Sequence, residues 1–264
     1  MENEYRRYRK RRRNRGLLIL LFVTALLGAV ALLWVSIQMS GVLGAPSRKT
    51  QTGGQQQSET SAPKAVFSSA PAESGIDKTD WRLRLVNEKH PLPAGFAVET
   101  RTLPNGMEFD ARAFDALMEM INDGKSEGMQ FVICSGYRSV ELQTELFNAE
   151  VQKQKNNGLN DQAAYDKAKT SVAVPGTSEH SLGLAADIVA LDYQRLDDGY
   201  EQTPEAVWLK ENSWKYGFVQ RYPKGKQEIT GIIFEPWHYR YVGKEAAKEI
   251  TERGLCLEEY LGEA

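Results

Sequence analysis

The chain has 264 residues, 41% of them hydrophobic and 26% charged, with a formal net charge of −2, two cysteines and three histidines. Such a composition excludes wholesale disorder and a collagen-like repeat, and two cysteines are too few for a disulfide-framework mini-protein. Near-neutrality argues against a dedicated nucleic-acid binder, and the length suits one ordinary domain with extensions.

The neutral total hides an asymmetry. Residues 1–15 carry eight Arg and Lys against Glu2 and Glu4, so the remainder of the chain is acidic. Gly16 to Met39 then runs for 24 residues without a charge. At about 1.5 Å per helical residue the run reaches roughly 36 Å, enough to cross a hydrocarbon core of about 30 Å. A cleaved signal peptide is the competing reading, but its apolar region spans only about 7–15 residues and closes on an A-x-A-like site. Val42, Gly44 and Ala45 match such a site poorly. An uncleaved transmembrane helix over 16–39 is therefore expected, with Trp34 at the outer interface. The positive-inside rule keeps the basic segment 1–15 in the cytoplasm and puts everything after Met39 outside the cell membrane. Residues 40–77 are rich in Ser, Gly, Gln, Ala and Pro and lack apolar periodicity. They predict a flexible extracellular stalk.

Residues 78–264 remain to form one compact domain. Alternation over 81–87 predicts a short strand. Ala113, Phe114, Leu117, Met118 and Ile121 fall at helical spacing and predict a helix over 110–123. A compact apolar strand over 129–134 stops at Ser135-Gly136. Ser139 reads as the N-cap of a helix over 140–155, and a further helix is expected over 162–170. Residues 185–190 predict a strand, 204–216 a helix opened by Pro204, 237–242 a strand and 244–253 a closing helix. Without regular βαβ alternation, the class expected is α+β. Cys134 and Cys256 read equally well as a bridge or as two buried small hydrophobes.

The chemistry gathers at two histidines. In Ser178-Glu179-His180-Ser181-Leu182-Gly183-Leu184-Ala185-Ala186-Asp187, His180 and Asp187 are both metal-ligand types. Seven residues of helix rise about 10.5 Å, too far for one ion, and on a straight strand the two would face opposite sides. The chain must reverse between them, which Gly183 permits. In Glu235-Pro236-Trp237-His238 a carboxylate stands three residues before a second histidine. Three protein ligands plus water is the arrangement of catalytic zinc. His180, Asp187 and His238 make three, leaving Glu235 to handle a water's proton. An isolated histidine is more often an ordinary surface or core residue, and His90 reads that way. Trp237 reads as packing beside the ligand.

These two stretches fit S-x-H-x-x-G-x-A-x-D and E-x-W-H, and Ser135-Gly136-Tyr137-Arg138-Ser139 followed by Gln143 fits S-G-Y-R-S-x-x-x-Q. Together with Leu85-Val86-Asn87 and Pro91-Leu92-Pro93, they make residues 81–264 resemble the VanY-type zinc D,D- and L,D-carboxypeptidases, which trim peptidoglycan stem peptides. The resemblance implies a single zinc-peptidase domain of the Hedgehog/D,D-peptidase-like fold. It implies Zn2+ held by His180, Asp187 and His238, with Glu235 as catalytic base. Arg138 would contact the substrate near the scissile bond, at the oxyanion or at the terminal carboxylate. Gln143, Ser178 and Tyr222 would line the pocket. The expected reaction is hydrolytic removal of the terminal D-alanine from a stem peptide. An L,D-carboxypeptidase acting on tetrapeptide stems and a non-catalytic peptidoglycan-binding module are the alternatives. No nucleic-acid partner is expected.

Overall fold

The computed structural model describes residue 77 and residues 79–264. The basic segment, the transmembrane helix and nearly all of the stalk expected from the sequence lie outside the described residues. Among the described residues, no helix is long and apolar enough to cross a membrane.

A short antiparallel ribbon of β1 (Thr100–Thr102) and β2 (Glu108–Asp110) leads into α1 (Phe114–Ser126). The main sheet has four strands, β3 (Phe131–Ser135), β4 (Ala185–Ala190), β5 (Phe218–Tyr222) and β6 (Glu235–Tyr241), in the order β3-β4-β6-β5 with every pairing antiparallel. This is the α+β architecture expected. Between β3 and β4 run α2 (Val140–Asn156), α3 (Asp161–Ala168) and the single turn α4 (Glu179–Leu182). α5 (Pro204–Asn212) precedes β5, α6 (Gln227–Thr230) precedes β6, and α7 (Lys244–Arg253) and α8 (Leu257–Leu261) close the chain.

β4 is buried along its whole length, as a central strand covered on both faces must be. Ala186 and Ile188 join the larger core with Phe109, Leu117 and Met120, while Asp187, between them, faces a cleft. α1 packs closely because Gly124 has no side chain: a Cβ there would lie 2.4 Å from Cε2 of Phe131. A smaller core of Val219, Val242, Ala247, Ile250, Leu257 and Leu261 fastens α7 and α8 to the outer end of the sheet.

Both register shifts in the sheet fall at the cleft. One lies between Ile133 and Ser135 on β3; at the other, Gln220 pairs with Tyr239 but Tyr222 with Glu235, so the first half of β6 carries the extra residues. The second matters most. Glu235 and His238 would face opposite sides of a regular strand, but the irregularity turns both to one side.

Several predicted elements change. Residues 81–87 are not a strand: Trp81–Leu83 forms a 3-10 turn capped by the Asp80 side chain, and Asn87 makes only an isolated bridge to His90. The alternation is real, but no neighbouring strand supplies a ladder. The first helix begins at Phe114 rather than 110, because Glu108–Asp110 pairs with β1. The helix predicted over 204–216 leaves α geometry at Ser213 and finishes as a 3-10 turn over Ser213–Tyr216. The strand predicted from 237 starts at Glu235. The cysteines are both free.

Candidate active site

The cleft, about 640 Å³, opens on the sheet face that carries Asp187 and His238 and is walled by the loop after β3, by α2 and by the segment before α4. Its floor follows from register. Asp187 on β4 and His238 on β6 are directly paired, so their side chains share a face. His180 arrives from α4, whose first turn is capped by Ser178 Oγ accepting from the His180 backbone N–H at 3.3 Å. Gly183 then ends α4 in the left-handed region, φ 85°, and turns the chain directly into β4. The reversal required between His180 and Asp187 is made there.

The two imidazoles present different nitrogens to the cleft. Nδ1 of His180 lies 2.7 Å from the Gly136 carbonyl, which accepts only, so Nδ1 carries the proton. Its Nε2 is buried without a hydrogen-bond partner and lies 3.2 Å from Asp187 Oδ2. Burial pushes the His180 pKa down to about 4, so the ring is neutral and Nε2 offers a lone pair. In His238 it is Nδ1 that faces the cleft, 3.0 Å from Asp187 Oδ1 and 3.6 Å from Glu235 Oε2. Burial opposes charge on His238, but Asp187 and Glu179 outweigh it and raise its pKa to about 9. Burial likewise opposes charge on Asp187, and the two histidines hold its carboxyl well below the usual range. Burial pushes Glu235 up to about 8; Asp187 adds to the rise, and His238 and Arg138 moderate it.

One ligand atom from each of His180, Asp187 and His238 lies within 4.8 Å of the others, and all three residues are buried. Two nitrogens and a carboxylate oxygen around an unpartnered lone pair are the donor set of a three-ligand zinc site with a position left open. The residues present fit that metal.

Arg138 stands beside this group, its Nη2 3.8 Å from Asp187 Oδ2 and its Nε buried without a partner. Gln143 fixes it by accepting from Arg138 Nη1 at 2.9 Å while donating to the Ala173 carbonyl at 2.7 Å. Tyr222 packs on His238 with ring centroids 4.8 Å apart, and burial holds its phenol well above its ordinary pKa and therefore neutral. Every site residue expected from the sequence, Glu235, Arg138, Gln143, Ser178, Tyr222 and the three ligand candidates, lines this one cleft. Ser178 does so with its hydroxyl engaged as a helix cap. His90 lies outside it, bonded to Asn87. Trp237 lines the cleft and packs with Val189, Ala190, Tyr200 and Ala206. The thiol of Cys134, in the wall, is pushed up to about 12 by burial and by Asp187, and so is not a thiolate.

Sequence reasoning missed what lies beneath. Glu179, between Ser178 and His180, is buried and takes Arg221 Nε at 2.8 Å and Arg240 Nη1 at 2.6 Å on Oε1. Arg221 is also held by both oxygens of Glu258 at 2.8 and 2.6 Å. Burial would raise the Glu179 pKa, but the two guanidinium groups hold it well below the ordinary carboxylate range. A detectable signal existed for one partner: Arg240 is a charged residue inside a segment that otherwise reads as an interior strand.

With this geometry in hand, the chain can be set against known proteins. A family model described as VanY, D-alanyl-D-alanine carboxypeptidase, matches residues 106–244. A D-alanyl-D-alanine carboxypeptidase of Enterococcus faecalis (strain ATCC 700802 / V583) is 46% identical over 194 residues, covering 73% of this chain and 70% of the relative. Among solved structures, a variant of the vancomycin-resistance D,D-pentapeptidase VanY in complex with Zn(II) aligns with a TM-score of 0.64 at 45% identity, covering 69% of this chain and 99% of that one. The L,D-carboxypeptidase LdcB aligns with a TM-score of 0.58 at 38% identity, covering 68% of this chain and 85% of that one. The chain belongs to the VanY family of D-alanyl-D-alanine carboxypeptidases.

Proposed function

We propose that this protein is a zinc-dependent D,D-carboxypeptidase that hydrolyses the terminal D-alanine from peptidoglycan stem peptides. The observation that carries the reading is the convergence of His180, Asp187 and His238 within 4.8 Å, with Glu235 Oε2 3.6 Å from His238 Nδ1. His180 Nε2, the Asp187 carboxylate and His238 Nδ1 would hold the zinc. Bound there, zinc supplies Lewis acidity, bringing the pKa of a water from about 15.7 towards about 7 and polarising a carbonyl oxygen. Glu235 accepts the proton of the attacking water at its carboxylate and returns it to the leaving amine nitrogen of D-alanine. Its buried setting suits both halves of that task, since a carboxylate raised towards neutrality both takes and gives a proton. Arg138 donates to the oxyanion that develops on the scissile carbonyl, from a side chain buried enough to strengthen the interaction. Gln143 holds the guanidinium in place for this, and Tyr222 fixes the His238 ring by packing on it.

The greater similarity to the D,D-pentapeptidase, 45% identity against 38% for the L,D enzyme, favours the D,D reading. The uncharged run over 16–39 and the polar segment over 40–77 support a single-pass anchor and a stalk, with the domain of residues 78–264 outside the membrane, facing the wall.

The test is to incubate the full-length protein in detergent with peptidoglycan pentapeptide and, separately, tetrapeptide, and to quantify free D-alanine. Release from the pentapeptide, abolished by a chelator and restored by zinc, is the expected result. Release from the tetrapeptide alone would make the enzyme L,D-specific. Zinc uptake with no release from either would overturn the reading in favour of a binding module.

A further inference from the structure

Each histidine of the ligand set has a second ring nitrogen pointing away from the cleft, and what meets it decides which nitrogen is left for a metal. For His180 the partner is the Gly136 carbonyl, 2.7 Å from Nδ1. For His238 the group facing Nε2 is Oε2 of Glu179, 3.6 Å away. Both atoms are buried, and neither has a hydrogen-bond partner. A carboxylate only accepts, and Nδ1 meets one as well, Asp187 Oδ1 at 3.0 Å, so the metal-free ring suits a proton on each nitrogen. When a metal displaces the proton on Nδ1, the Glu179 carboxylate favours keeping the other on Nε2.

We infer that Glu179 is a positioning residue of the metal centre, selecting the tautomer in which His238 offers Nδ1. The inference rests on the zinc reading above and goes beyond it, because Glu179 is not one of the three ligand candidates and would act through His238. Its own placement is tightly determined. Oε1 is occupied by Arg221 and Arg240, which leaves Oε2 for His238. Arg221 is gripped in turn by Glu258 on α8, and Arg240 Nη2 donates to the carbonyls of Arg82 and Arg84 at 2.9 Å each. Glu258, Arg82 and Arg84 all lie outside residues 106–244, the span matched by the family model. The two flanks of the domain thus buttress a carboxylate that faces a ligand from behind. Carboxylates and carbonyls behind ligating histidines commonly contribute about 10- to 100-fold in metal affinity.

The test pairs Glu179→Gln with Glu258→Gln. In Glu179→Gln the amide can still accept from both arginines, but its NH2 turns a donor towards Nε2 and favours the wrong tautomer. Glu258→Gln disturbs the same charge cluster three contacts away from His238. Zinc dissociation constants, measured by competition with a chromophoric chelator on the full-length protein, are expected to rise about 10- to 100-fold for Glu179→Gln and to stay within about threefold for Glu258→Gln. Equal losses would mean that Glu179 acts only through the fold, and wild-type affinity in Glu179→Gln would overturn the inference while sparing the zinc site. A wild-type protein that takes up no zinc would bring down the zinc reading and this inference together. A second measurement needs no variant. Nitrogen-15 spectra of histidine-labelled, zinc-loaded protein are expected to show His238 metallated at Nδ1 and protonated at Nε2, opposite to His180. A proton on Nδ1 of His238 would overturn the inference even if Glu179→Gln failed to fold.

Discussion

Glu235 reaches His238 only because β6 is irregular where it meets β5, so the proton acceptor and a metal ligand come from one four-residue stretch of sequence. That economy makes Glu235→Gln an informative variant. The amide has nearly the shape of the carboxylate but cannot take the water's proton, so D-alanine release should fall by about 10²- to 10⁴-fold. Zinc affinity should be nearly unchanged, since the three ligand candidates keep their places. Because burial raises the pKa of Glu235 in the fold, ionising it costs stability at neutral pH, and the metal-free variant should melt no lower than wild type. Retention of full activity would remove Glu235 from the mechanism. The residues of the cleft were largely legible because two short motifs and the S-G-Y-R-S segment each present their chemistry locally. Glu179 was not. In sequence it is an ordinary acidic residue in the first turn of a helix, and its partners Arg221 and Arg240 stand 42 and 61 residues away. Only the sheet brings them together.

At the level of elements, β4 and α7 have the bounds that their patterns predict, because β4 is a compact, mostly apolar run buried throughout and α7 buries Ala246, Ala247 and Ile250 at helical spacing. Most elements of three to five residues escape such reading, although β3 shows as a compact apolar run. β1, β2, α4, α6 and α8 are too short to show a period, and β5 is held as a strand by its pairing with β6. The α4-to-β4 turn was nevertheless foreseeable from Gly183, and it carries a clear prediction. Gly183 sits at φ 85°, and a Cβ there would come within 3.2 Å of Val98 Cγ1 and 3.4 Å of Asp110 Cβ. Left-handed geometry alone costs a side chain about 1–2 kcal/mol, which for a domain of this size lowers Tm by roughly 2–8 °C. Gly183→Ala should show at least that loss in a thermal melt. It should also bind zinc more weakly, since His180 and Asp187 lie on either side of the turn. A variant that melts like wild type would mean that the turn relaxes freely and that its geometry does not hold the ligands together.

Across the whole domain, the core that fastens α7 and α8 to the sheet shares its end of the molecule with a buried charge cluster of Glu179, Arg221, Arg240 and Glu258. With two acids and two bases the cluster is neutral, and its energetic value depends on keeping every member charged. Burial would raise the Glu258 pKa, but Arg221 outweighs it and holds the carboxyl below its ordinary value. The sign then follows. A carboxyl whose pKa is depressed by folding contributes stability above its unfolded pKa of about 4.3, and that contribution is lost as pH falls through the folded value. Glu258→Gln, which leaves Arg221 with one counter-charge fewer, should cost about 3–5 kcal/mol at neutral pH. The deficit relative to wild type should stay level down to about pH 5 and shrink steadily below about pH 4, as the wild-type carboxyl itself becomes neutral. Urea unfolding midpoints of both proteins across this range, in chelator so that metal binding does not shift the equilibrium, read the difference directly. A deficit that persists unchanged into acid would show that the loss comes from packing around α8 rather than from the charge on Glu258. Convergence would show that the last helix of the chain is bound to the sheet beneath the cleft through an ionised pair.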